Sequence, residues 1–125
     1  MYAQVARTRL TAKEMGLVIN TADPYSVAVG EYYAQRRGIP AEQVLRLSLP
    51  VKANLSVIEF DALAQQVRDF MGPHVQALAL AWVEPYAVEC NSITSALTLG
   101  YRALACSNTC APTATSRLFN TNTLN

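Results

Sequence analysis

The run from Met15 to Pro50 constrains this chain more than any other stretch, because it spells strand, helix and strand with punctuation at each junction. Gly16 to Asn20 (Gly-Leu-Val-Ile-Asn) is a short continuous apolar segment, of the kind buried on both faces of a parallel sheet. Asp23 stands where a helix N-cap belongs, and Pro24 brings the preset φ of a first helical residue. Tyr25, Ala28, Val29, Tyr32 and Tyr33 recur at helical spacing, so this face is expected to lie on the sheet. Arg36 and Arg37 suit the negative end of the helix dipole, Gly38 is the expected left-handed stop, and Pro40 prevents resumption. Val44 to Leu49 alternates in part and reads as a second strand with one less buried face, an edge, closed by Pro50. Such a run closes a βαβ unit, and a βαβ unit places any ligand beyond the carboxyl ends of its strands.

The rest of the chain extends the pattern. Ser56-Val57-Ile58-Glu59 is a capping box, and Leu55 and Phe60 are spaced as a hydrophobic staple across it. The helix that follows presents Phe60, Leu63, Ala64, Val67 and Phe70 or Met71 on one stripe and stops at Gly72-Pro73. Val75 to Val83 is the third strand and the most apolar, broken by Pro85. Ser92 to Leu104 forms a third helix with Ile93, Ala96, Leu97 and Leu104 as its apolar side. From Ser107 to Asn125 no periodicity remains. The expected organisation is a lead-in segment over 1–14 and a single α/β domain over 15–125, incomplete at its C-terminal end. Its plan is a three-layer, mostly parallel sheet with right-handed βαβ crossovers, Rossmann-like in outline.

Composition narrows the function classes. At 125 residues the chain holds one domain at most, and with half its residues apolar it builds a packed core. Ten basic residues nearly balance nine acidic ones, so there is no electrostatic footprint for nucleic acid or for an anionic membrane. No apolar run reaches bilayer-spanning length, so membrane insertion is not expected. The lead-in carries Arg7 and Arg9 without an apolar h-region, so no secretory signal is read there. The three cysteines, Cys90, Cys106 and Cys110, leave at least one thiol unpaired within the chain. Cys106-Ser-Asn-Thr-Cys110 suits a short local disulfide or two inert thiols better than half a metal site, because the sole histidine, His74, is distant in sequence.

The strand ends select a candidate crevice: Asn20, Thr21 and Asp23 after the first strand, Ser48 and Lys52 after the second, and Glu84, Tyr86, Glu89 and Cys90 after the third. Each has a plain structural role as well. Asp23 is explained by capping, Asn20 by the needs of the turn backbone, and Tyr86 by packing. Cys90 alone has nucleophilic potential, but a cysteine nucleophile needs a base within hydrogen-bond reach. His74 precedes the third strand, about 30 Å away along a nine-residue strand, so no Cys90–His74 dyad is expected and Cys90 is read as structural. The first strand-to-helix turn lacks glycine, which removes the dinucleotide fingerprint and the phosphate-binding loop. No catalytic residue, cofactor or metal ligand is assigned. Asn54-Leu55-Ser56 is formally a glycosylation acceptor, although the capping box explains its serine better.

The stretch Val18-Ile-Asn, Asp23-Pro-Tyr-Ser-Val-Ala, Glu31-Tyr-Tyr-Ala-Gln-Arg-Arg-Gly-Ile-Pro-Ala, and later Trp82-Val-Glu-Pro-Tyr, Glu89-Cys-Asn-Ser-Ile-Thr-Ser-Ala and Cys110-Ala-Pro-Thr-Ala, resembles an uncharacterised bacterial family of largely exported proteins. That family is similar in outline to the gingipain and caspase-like α/β domains; the resemblance is to its N-terminal part and covers residues 15 to about 115 of this chain. It implies a caspase-like sheet and a periplasmic or secreted location, where a Cys106–Cys110 or Cys90–Cys110 disulfide persists. In gingipain-like peptidases the catalytic His follows the third core strand. Here Trp82-Val83-Glu84-Pro85-Tyr86 follows it, so no catalytic residue transfers.

These readings give three functional expectations. The first is a non-catalytic α/β domain that binds or scaffolds within an exported protein, with a protein partner or a second copy as its ligand. The second is a caspase- or gingipain-like hydrolase whose site is completed beyond this chain, with Cys90 or Asp23 contributing. The third is a flavodoxin-like small-molecule binder using Asn20, Thr21 and Asp23.

Overall fold

The structure is a computed structural model that describes residues 9–108 and 110; 1–8 of the lead-in, 109, and 111–125 of the polar tail lie outside the described residues. In chain order the elements are β1 (Met15–Asn20), α1 (Pro24–Arg37), β2 (Val44–Leu47), β3 (Asn54–Leu55), α2 (Val57–Phe70), β4 (Ala77–Leu80), β5 (Ala87–Val88), β6 (Asn91–Ser92), α3 (Ile93–Leu99) and α4 (Leu104–Ser107). The fold is mixed α/β. The chain divides into two compact units. The first runs to Leu49 and adds Gln66–Val83; the second comprises Pro50–Gln65 and the chain from Glu84 on.

The first unit is built on a three-stranded parallel sheet in the order β2-β1-β4. β1 is central, with Leu17, Val18 and Ile19 buried, as expected of a continuous apolar strand flanked on both sides. β2 is an edge, as read from its sequence, and its one exposed side chain, Arg46, pairs with Glu31 of α1. β4 is shorter than Val75 to Val83 and is also an edge. All four of its residues are only half-buried, so the most apolar strand is not the most buried one.

Helix α1 starts and stops where the sequence places it. The Asp23 carboxylate accepts from the Tyr25 N–H at 3.0 Å, Pro24 is the first helical residue, and Gly38 closes the helix at φ 64°. Its face is a correction. Tyr25 and Tyr32 are 59% and 64% exposed, and Val29 also points outward. The buried positions are Ser26 and Gly30, with Val27, Tyr33 and Ala34 half-buried. A Cβ on Gly30 would stand 2.4 Å from Ile19 Cγ1, so the helix lies closer to β1 than a bulky side chain permits. The core of this unit is accordingly Leu17, Ile19, Ile39, Val44 and Ala81, with Met15, Val27, Tyr33, Ala34 and Ala79 packed against it.

In the second unit, β3 pairs parallel with β5, and β5 pairs antiparallel with β6 in a hairpin turning at Glu89 and Cys90. The capping box of α2 forms in both directions: Glu59 N–H donates to Ser56 Oγ at 3.2 Å, and Ser56 N–H donates to Glu59 Oε1 at 2.9 Å. Lys52 adds an ion pair to Glu59 at 2.9 Å. Along α2, whose residues to Gln65 belong to the second unit and from Gln66 on to the first, Phe60, Leu63, Ala64 and Val67 are buried, Met71 just beyond it is half-buried and Phe70 is exposed. The expected helix over Ser92 to Leu104 is two helices. Ser92 caps α3 by accepting from Ser95 N–H at 3.1 Å, Gly100 ends it at φ 86°, and Leu104 is exposed in α4. The Glu84–Pro85 peptide is cis.

Candidate functional site

Of the candidate crevice residues, the structure gathers Asn20, Thr21 and Asp23 into one turn of the first unit, and Glu84, Tyr86, Glu89 and Cys90 into the segment around β5 in the second.

The turn after β1 is knitted by its own backbone. Asn20 is 0% exposed. Its Oδ1 accepts from the N–H groups of Ala22, at 3.1 Å, and Leu49, at 2.9 Å, while Nδ2 donates to the Leu49 carbonyl at 3.2 Å. The Asn20 N–H donates to Ser26 Oγ at 2.8 Å. Thr21 bonds the Leu47 carbonyl through its N–H at 2.8 Å and its hydroxyl at 3.3 Å. The end of β2 is thereby sewn to the end of β1. Both lone pairs of the Asn20 carbonyl are occupied by main chain, and Asp23 is occupied as the α1 cap.

The β5 segment shows a second such knot. Asn54 Nδ2 donates to the Glu89 carbonyl at 2.9 Å, and its Oδ1 accepts from the Glu89 N–H at 2.7 Å. Glu89 has φ 52°, the left-handed region that a residue with Cβ occupies at a cost. Asn91 repeats the arrangement on Arg102, donating to its carbonyl at 3.1 Å and accepting from its N–H at 3.2 Å. Tyr86 holds its backbone with Ala53 and Ile93 but leaves its ring exposed. Cys90 is joined to Cys106 by a disulfide, and Cys110 is a free, exposed thiol. The local Cys106–Cys110 bridge and the Cys90–Cys110 bridge are both replaced by this pairing, because the turn at Gly100 brings α4 back to the hairpin.

His74 stands at the other end of β1 and β4, before the first residue of β4. Its Nε2 is 3.2 Å from Gln43 Oε1, and Gln43 Nε2 donates to the carbonyls of Ala12 and Met15. Among the described residues, no group of three or more His, Cys, Asp or Glu is placed to hold a metal ion. No helix among them is long and apolar enough to cross a membrane.

The outer face of α1 is the other chemically distinct surface. Tyr25, Val29 and Tyr32 form an exposed stripe at i, i+4 and i+7, and the Arg36 guanidinium lies 6.0 Å from the Tyr32 ring centroid. Exposed Tyr and Arg are the residue types that anchor protein interfaces. Sequence reasoning missed Ser26, Gly30, Asn54 and Asn91 as structural centres. A signal was present for the asparagines: Asn is disfavoured in strands, yet one ends β1, one starts β3 and one starts β6.

No family model matches the chain, and no curated protein and no solved structure matches it.

Proposed function

We propose that the chain is a non-catalytic α/β domain, on a Rossmann-like or caspase-like plan, that acts as a binding or scaffolding part of an exported bacterial protein. One observation carries the reading: the polar groups where a reaction centre would stand are committed to the chain itself. The sulfur of Cys90, the nucleophile candidate of the crevice, is bonded to Cys106, and the amide of Asn20 is taken up by Ala22 and Leu49. The Tyr25–Val29–Tyr32 stripe supports binding through a protein surface. The Cys90–Cys106 disulfide supports an oxidising compartment, periplasmic or extracellular.

The test offers the oxidised protein peptide and ester substrates, together with an electrophilic peptide ketone that alkylates activated cysteines. We expect no turnover and no adduct at Cys90. Turnover that disappears in Cys90→Ser overturns the reading in favour of the hydrolase. Directing the same chain to the periplasm or to the cytosol tests the location: the Cys90–Cys106 bridge is expected in the first product and lost in the second.

The hydrolase reading has one observation on its side. The four half-buried apolar residues of the β4 edge have no strand on their far side among the described residues, which is where a further core strand would add.

A further inference from the structure

The outward face of α1 carries four exposed side chains, Tyr25, Ala28, Val29 and Tyr32, and their order is nearly the same read from either end. A tyrosine opens and closes the run, and the two shorter side chains sit together at its middle. Helical spacing puts all four on one stripe. The two ends of the stripe carry opposite charges. The Asp23 carboxylate, 3.0 Å from the Tyr25 backbone nitrogen, marks the N-terminal end, and the Arg36 guanidinium, 6.0 Å from the Tyr32 ring centroid, marks the C-terminal end. The acid within the helix, Glu31, is paired with Arg46 of β2 and adds no uncompensated charge.

Resting on the reading of the chain as a binding domain, we infer that the partner of this face is a second copy of the chain, docked antiparallel through α1 about a two-fold axis. An isologous interface sets residue i against j and j against i, so it needs a surface that complements itself. With the axis between Ala28 and Val29, Tyr25 of each copy meets Tyr32 of the other, and the two rings bury aromatic area against each other. Ala28 meets Val29 at the crossing point, where short side chains let two helices approach. The same arrangement lays Arg36 of one copy beside Asp23 of the other at both ends. A parallel arrangement would set Arg36 against Arg36 and Asp23 against Asp23. A partner of one charge sign, such as an acidic segment, would satisfy Arg36 and be repelled at Asp23. The charge pattern therefore selects the second copy.

The stripe is short. From Tyr25 to Tyr32 it runs about 11 Å at the usual helical rise. The interface then falls below about 1,200 Å² of total buried surface, the size of weak and transient pairs. The product is a reversible dimer that fills as concentration rises.

The test is sedimentation equilibrium of the oxidised full chain carrying Cys110→Ser, which removes the exposed thiol as a source of covalent dimers. Concentrations run from about 10 μM to about 1 mM, the range of a weak interface. The weight-average mass should climb from one chain towards two and go no further. Tyr25→Ser and Tyr32→Ser should each weaken association by about tenfold or more. Arg36→Glu should weaken it by about fivefold or more, because it sets a carboxylate against Asp23. An unchanged urea midpoint at the lowest concentration shows that each variant is folded. A chain that stays monomeric throughout, a mass that passes two chains, or association that all three variants leave unchanged overturns the second-copy partner. Stronger association in Arg36→Glu overturns the antiparallel order. Each of these results leaves the non-catalytic binding reading standing; that reading falls instead to turnover lost in Cys90→Ser.

Discussion

The side-chain amide of Asn54 grips both backbone polar groups of Glu89, its Nδ2 2.9 Å from the carbonyl and its Oδ1 2.7 Å from the amide nitrogen. The same two-point grip joins Asn20 to Leu49 and Asn91 to Arg102. In each case one primary amide offers a donor and an acceptor to both main-chain polar groups of one residue, as a neighbouring strand would. Asn is suited to this because its amide has the same donor and acceptor pair as a peptide group.

Asn54 should therefore be replaceable by neither Asp nor Ala. In Asn54→Asp the carboxylate still accepts from the Glu89 N–H but faces the Glu89 carbonyl with a lone pair. We expect a loss of about 1–2 kcal/mol for either variant in urea unfolding. Glu89→Gly relieves the positive φ, so in the double variant part of the Asn54→Ala loss should return. Additive losses would show that the grip does not serve the strained residue.

Asn20→Asp tests the buried member of the set. It places a carboxylate at a position with no solvent exposure, against the Leu49 carbonyl, and the expected loss is about 3 kcal/mol or more. Urea midpoints of wild type and variant at neutral pH check the loss.

Gly30 and the exposed tyrosines form a paired test of the α1 face. Gly30→Ala drives a methyl to 2.4 Å from Ile19 and should cost about 1–3 kcal/mol despite the better helix propensity of Ala. Tyr25→Ser and Tyr32→Ser should each shift stability by less than about 0.5 kcal/mol, as surface changes do. If the tyrosines proved costly and Gly30→Ala neutral, the face would be the one expected from periodicity.

Glu59 provides a pH signature. The Ser56 N–H, then the Lys52 ammonium, hold its carboxyl below the ordinary glutamate value. A group depressed in the folded state contributes its stability above the unfolded pKa and loses it as pH falls through the folded one. The gap between wild type and Glu59→Gln should thus be present at neutral pH and close in acid below the ordinary glutamate range. A gap that stayed constant would remove the ionised capping box from the account.

What the sequence determined was whatever short-range chemistry decides. The ends of α1 are legible in Asp23-Pro24 and Gly38, and the start of α2 in Ser56 and Glu59, because a cap is satisfied within a few residues of itself. The continuous apolar character of Leu17 to Ile19 likewise places β1 at the centre of a parallel sheet. Only the tertiary structure decided which face of α1 turns inward, that Cys106 pairs with Cys90 rather than its near neighbour, and that β4 is an edge among the described residues. The periodicity of α1 favours its tyrosines, but close approach to β1 selects Ser26 and Gly30, since helix-to-strand distance is set by the smallest side chains between them. The asparagine grips follow the same logic: each joins residues 11 to 35 positions apart, and a hydrogen bond of that span exists only once packing has brought its two ends together.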